Sequence, residues 1–202
     1  MEIKEIKKRG RELTRNNMWN FWKVYLIVMI ISFLTTYLTT SMGESASMIA
    51  SLIMVIVMSP LYAGIYYYLL NIIRKKPFEV NNIFSYFKFI IPLVILNILM
   101  SLFIMLWSLL LIIPGIIAAL SYAMAMYLFV DGETDPLACI KKSKVMMKGY
   151  KGNFFLLGLS FIGWMLLGIL TLGILYIWLV PYMQFSFISY YEELKNKSIK
   201  EN

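Results

Sequence analysis

Charge interrupts this chain rarely and in clumps. Four runs, 24–43, 45–73, 89–130 and 152–191, contain no Asp, Glu, Lys or Arg. A helix needs about 20 apolar residues to cross the hydrocarbon core of a bilayer. The first two runs suit one crossing each, and the last two suit two crossings each if each turns near its middle. Pro114-Gly115 supplies one turn, because proline lacks an N–H and fits the first turn of a helix. Thr171-Leu172-Gly173, with Gly168 just before it, supplies the other. Backbone in lipid must satisfy its own hydrogen bonds, which selects helices. The runs are also too uniformly apolar for the alternating strands of a lipid-facing barrel. The pattern predicts an all-α polytopic membrane bundle with six transmembrane helices at about 21–41, 47–73, 89–111, 114–130, 153–171 and 174–191. The helices pair as three hairpins, joined by short cytoplasmic interfacial helices. Residues 1–20 form a basic amphipathic N-terminal segment and residues 192–202 a tail.

The second helix of each hairpin carries a proline (Pro60, Pro114, Pro181) and descends through tyrosines. This is either an internal repeat or the ordinary composition of membrane helices. Small residues Gly115, Ala119 and Ala123 recur on the fourth helix, which predicts a central position where backbones approach closely. An apolar first helix behind a basic leader also has the look of a signal peptide. The stretch is long for one and no A-x-A site follows, so an uncleaved helix is expected.

The placement of charge sharpens this picture. Of the 202 residues 60% are hydrophobic and 15% charged, with 19 Lys+Arg against 11 Asp+Glu. A soluble domain is nearer half apolar and a quarter charged. With six helices, every basic residue falls on one side. Seven precede or begin the first helix, four lie between the second and third (Arg74, Lys75, Lys76, Lys88), five between the fourth and fifth, and three in the tail. The positive-inside rule then places both termini in the cytoplasm. Glu44 is the single acid expected on the outer side.

The fourth-to-fifth connection carries the candidate site. Asp135-Pro136 is a helix start, a cap followed by proline in the first turn. On the helix that follows, Lys141, Lys144, Lys148 and Lys151 share one side, with Lys142 on the other flank. Cys139, Ile140, Ser143, Met146, Met147 and Tyr150 make an adjoining, mostly apolar face. Such a helix can lie in the membrane plane with its lysines on lipid phosphates. Equally, it can pack under the bundle with its lysines solvated. The stretches 80–87 and 2–15 are further interfacial candidates. Anionic membrane lipids are the expected partners, together with a membrane protein. Nucleic acid is not, because the basic residues are spread over four juxtamembrane places.

Catalytic chemistry is sparse. There is no histidine and one cysteine, which removes histidine triads, histidine metal sites and internal disulfides. A free thiol at Cys139 is expected in a reducing compartment. Asp131, Glu133 and Asp135 form a small acidic group that reads as a turn and helix cap more readily than as a cation site. No phosphate loop or dinucleotide fingerprint is present. No catalytic, cofactor-binding or metal residue is therefore expected, and no enzyme. The charge-free runs argue against proton coupling. A carrier of a neutral or lipid-like solute remains the alternative to an accessory or scaffold module. It predicts a midplane cavity lined by Asn97, Ser101, Ser121 or Gln184.

Several strings carry a resemblance: Trp107-Ser-Leu-Leu-Leu-Ile-Ile-Pro-Gly-Ile-Ile, Tyr122-Ala-Met, Asp131, Ser143, Met147-Lys-Gly, Leu159-Ser-Phe-Ile-Gly-Trp164, and Pro181-Tyr182 ending in Tyr190-Tyr191. In combination they resemble a family of bacterial multi-pass membrane proteins known as domain of unknown function 975. More distantly, the chain is similar to the membrane domain attached to some glycerophosphodiester phosphodiesterases, without their catalytic part. The resemblance implies a multi-pass bundle in the plasma membrane and carries over no active site or substrate.

Overall fold

The computed structural model describes residues 2–41 and 44–200, with side chains described except at 39, 44–52 and 200. Residues 42 and 43 lie outside the described residues, and the Glu44 side chain is not described. Among the described residues every regular element is helical. The order is α1 (Ile3–Ser41), α2 (Glu44–Ile73), two 3-10 turns (Val80–Phe84 and Phe87–Phe89), α3 (Ile90–Leu110), α4 (Ile112–Tyr122), α5 (Ala125–Val130), α6 (Pro136–Met146), α7 (Lys151–Leu170) and α8 (Tyr176–Lys200). Five stretches are long and apolar enough to cross a membrane: Ile3–Leu38, Ile53–Ile73, Val80–Leu110, Ile112–Val130 and Lys151–Leu170. α8 is not among them. Its charge-free part ends at Tyr191, short of the roughly 20 residues a crossing needs.

The N-terminal segment is a helix of its own that meets the long apolar helix at a kink: within α1, Asn17 has non-helical angles (φ −129°, ψ 19°), and its side-chain amide donates to the Leu13 carbonyl at 3.1 Å. Ile6, Gly10 and Thr14 are buried along this segment, and α1 packs against α8. Lys7 Nζ donates to Ser160 Oγ at 3.1 Å, the Arg11 guanidinium sits 5.8 Å from the centre of the Tyr182 ring, and Gly10 leaves room for Ser186. The helix expected at 114–130 is two helices, with a break at Ala123-Met124. α8 runs on to Lys200, so residues 192–200 are helical.

The turn at 171–173 follows the sequence. Gly173 N–H donates to Gly168 O (2.9 Å) and Leu172 N–H to Ile169 O (3.1 Å), the paired bonds that close a helix C-terminus on a left-handed residue. Leu172 takes that conformation at φ 51°. Gly168 admits the Tyr176 ring, whose hydroxyl donates to Met165 O at 2.9 Å. The interior is aromatic. Tyr25 stacks on Phe21 with centroids 4.1 Å apart, and Tyr127 on Tyr191 at 5.1 Å. Long apolar side chains cover the outside, including Phe33, Leu109, Leu110 and Leu170. In water that surface would drive association.

Candidate functional site: a charged cluster and a lysine-edged groove

α2 and α5 end in the same way, and the shared ending builds the charged cluster. After α2, Lys75 takes φ 54°, its N–H donates to Ile72 O (3.2 Å), and Lys76 N–H donates to Asn71 O (2.9 Å). After α5, Gly132 takes φ 113°, its N–H donates to Phe129 O (3.2 Å), and Glu133 N–H donates to Leu128 O (3.1 Å). Both are Schellman endings. They hold the two cap residues, Arg74 and Asp131, side by side. Arg74 donates to both Asp131 oxygens, Nη1 at 2.6 Å and Nη2 at 3.0 Å. Its Nε and Nη2 reach Glu192 Oε1 on α8 at 2.8 and 2.5 Å. The Tyr191 hydroxyl (2.7 Å) and Lys195 also donate to Asp131. A carboxylate at a helix C-terminus is disfavoured by the helix dipole. Two cations and a phenol offset that here and tie α2, α5 and α8 together.

Burial alone would raise the Asp131 pKa. The hydrogen bonds from Arg74, Lys195 and Tyr191 outweigh it and hold the carboxyl well below the usual carboxylate range. The sign of the linkage follows. The stabilisation is complete above the unfolded-chain value of about 4 and is lost as pH falls through the depressed folded value. The stability difference between the wild type and Asp131→Asn is therefore expected to be constant from pH 8 to about pH 5 and to shrink below pH 4. Thermal unfolding in detergent across that range checks it; a difference that already shrinks between pH 7 and 5 would contradict it.

The acidic group of the sequence disperses. Asp131 serves the cluster, and Glu133 pairs with Lys142. Asp135 caps α6, accepting from Leu137 N (3.2 Å) and Ala138 N (3.1 Å). Among the described residues no three acids, cysteines or histidines converge as a metal would require. Cys139 is buried, and its thiol donates to Glu133 O at 3.0 Å. Burial, with the nearby Glu133 and Asp135 carboxylates, pushes the thiol up to about 12, so it is unreactive near neutral pH.

α6 starts where the sequence places it, but its apolar face is already occupied. Cys139, Ile140, Ser143 and Met147 are buried against α3, α4 and α5. Ser143 is fully enclosed and repairs the break between α4 and α5. Its hydroxyl accepts from Met124 N (3.1 Å) and donates to Ser121 O (2.8 Å). Ser121 is the middle residue of the Ile112–Val130 stretch. α6 therefore climbs alongside that stretch as far as its midpoint. Lys141, Lys144 and Lys148 are exposed and Lys151 is half-buried. None of these four has a carboxylate partner among the described residues, unlike Lys142.

Two of these lysines edge a groove. A cavity of about 230 Å³ is lined by Trp107, Pro114, Ile117, Ala118, Ser121 and Tyr122, with Lys144 and Lys151 at its border. A larger cleft of about 540 Å³ lies between α2 and α3, lined by Ser59, Tyr62, Asn97 and Ser101 among apolar residues. Asn97 Nδ2 donates to Ser59 Oγ and Leu93 O, both at 3.0 Å. The four polar residues expected around one midplane cavity are thus divided. Asn97 and Ser101 share the cleft, Ser121 borders the groove, and Gln184 is on α8. Sequence reasoning did not find Arg74, Glu192 and Lys195 as a unit. The local signals were Pro77 and Gly132, which mark the two helix ends.

These features define an all-helical protein with several membrane-competent helices, clamped at one end by buried charge. The chain matches the model of the family described as Protein of unknown function (DUF975) over residues 1–121 and 108–198, and belongs to that family. No curated protein and no solved structure matches it.

Proposed function

We propose that the chain is a six-span plasma-membrane protein with both termini cytoplasmic, acting as a non-enzymatic accessory module that holds anionic lipid and packs against a membrane-protein partner. The sixth span is the charge-free part of α8, accommodated by local thinning of the bilayer. The observation that carries the lipid reading is the set of four lysines, Lys141, Lys144, Lys148 and Lys151, gathered at one connection without carboxylate partners among the described residues. Each basic side chain near an anionic leaflet contributes about 1 kcal/mol. Lys142 belongs to the same surface but spends its charge on Glu133. The expected partner lipids carry net negative headgroups.

The test is lipid retention through purification in mild detergent, from membranes containing phosphatidylglycerol and phosphatidylcholine. The wild type is expected to retain phosphatidylglycerol in excess of its share. Replacing the four unpaired lysines by glutamine should lower that excess roughly tenfold or more. Equal retention by both proteins removes the lipid reading. A second reading, carriage of a neutral or lipid-like solute, is favoured by the α2–α3 cleft with Asn97 and Ser101 in its wall. Solute-dependent protection of a cysteine placed at Ser101 would support it.

A further inference from the structure

We infer that the groove along α4 holds a single anionic phospholipid, with an acyl chain against Ile117 and Pro114 and the phosphate between Lys144 and Lys151. This deepens the lipid reading above and rests on the same membrane orientation. Four observations meet at this place. The groove wall is apolar and uncharged along α4, as a hydrocarbon chain requires. Its outer side is open, with Ile117 and Trp107 each about half exposed (47%). Lys144 and Lys151 stand at one border, and no carboxylate among the described residues neutralises them. The groove also reaches Ser121, whose carbonyl accepts from the Ser143 hydroxyl of α6 at 2.8 Å, so the apolar wall and the lysine-bearing helix are fixed to each other. Lysines beside an apolar wall at the end of a span draw an anionic counter-charge. A lipid phosphate at the border of the groove supplies that counter-charge, and its own chain fills the apolar wall. An anionic lipid with one phosphate lowers the net charge of the two lysines from two to one, whereas a zwitterionic lipid brings its own cation and leaves it at two, so the site selects a net negative headgroup.

The experiment uses the full chain in a mixed phosphatidylcholine and phosphatidylglycerol bilayer. A photo-crosslinking amino acid, p-benzoylphenylalanine, replaces Ile117, or replaces Leu166 on the exposed side of α7 as a reference. Captured lipids are identified by mass. Ile117 is expected to capture phosphatidylglycerol roughly tenfold above its bulk share, and Leu166 to capture lipids in bulk proportion. Lys144→Gln with Lys151→Gln should return Ile117 to bulk proportion. Lys144→Arg with Lys151→Arg should keep the enrichment and shows that the fold tolerates change there. Lys141→Gln with Lys148→Gln should leave it unchanged. Bulk proportions at Ile117 in the native lysine background, enrichment that survives loss of both lysines, or capture of protein instead of lipid would each overturn the inference. If detergent purification retains phosphatidylglycerol but Ile117 does not select it, the groove is wrong and the lysine surface stands. If Ile117 selects it while bulk retention is unselective, the reverse holds.

Discussion

Arg74→Ala is expected to destabilise the protein by about 3 kcal/mol, against no measurable change for Lys76→Ala two residues away. Removing one member of a buried ion pair typically costs about 3–5 kcal/mol, because the partner is left charged and unpaired. Here the Asp131 and Glu192 side chains are only 10% and 12% exposed. Arg74→Ala strands Glu192 altogether, while Asp131 keeps Lys195 and Tyr191, which sets the loss at the lower end of that range. Lysine at position 74 should recover only part of it, because one ammonium cannot reproduce the paired bonds to Asp131 while also reaching Glu192. The measurement is thermal unfolding of detergent-purified variants, with a double-mutant cycle between Arg74→Ala and Asp131→Asn. The cycle should give a coupling of at least about 1 kcal/mol. Additive effects would mean that the cluster does not clamp the helices.

The second large effect is steric. On helix propensity alone, Gly64→Ala in α2 should stabilise by roughly 0.5–1 kcal/mol. The structure reverses the sign. A Cβ at Gly64 would meet the backbone of Ile83, its carbonyl carbon and Cα both at 2.6 Å, with the carbonyl oxygen closer still. That segment cannot step back. Ile83 is fully buried, and the surrounding loop is pinned by ring contacts of Tyr67 with Tyr86 and Tyr68 with Phe78. Gly64→Ala is therefore expected to cost about 2–3 kcal/mol and lower the yield of folded protein. Gly158→Ala and Gly163→Ala, where an added methyl meets nothing within 4 Å, provide the contrast: unchanged or slightly raised stability. A neutral Gly64→Ala would show that the Val80–Phe84 turn does not seat against α2 as described.

What the amino-acid order reveals here is mostly what is local. Asp135 as the cap of α6 and the turn at 171–173 were both readable, because each depends on residues a few positions apart. The apolar face of α6 was also readable, yet its destination was not. A buried stripe looks the same whether it meets lipid or helix, and only Ser143 closing the break at Met124 separates the two. The Arg74–Asp131 pair joins residues 57 positions apart, and nothing near either one names the other. The N-terminal docking was hidden for a different reason. Its contacts run through Gly10 and Thr14, small residues that hydropathy undervalues, and through Lys7, whose charge suggests a solvated surface.

That docking also sets the order of assembly. The segment holding Lys7, Gly10 and Arg11 rests on Ser160, Tyr182 and Ser186, which are made about 150 residues later or more. At about 5–20 residues per second, roughly 10–30 s separate the emergence of the two surfaces. Membrane insertion can proceed helix by helix during that time, but the bundle cannot close. α8 is the keystone: until it arrives, the leading segment has no seat, and a chain halted before 182 would leave Ile6 and Thr14 uncovered for quality-control proteases to find.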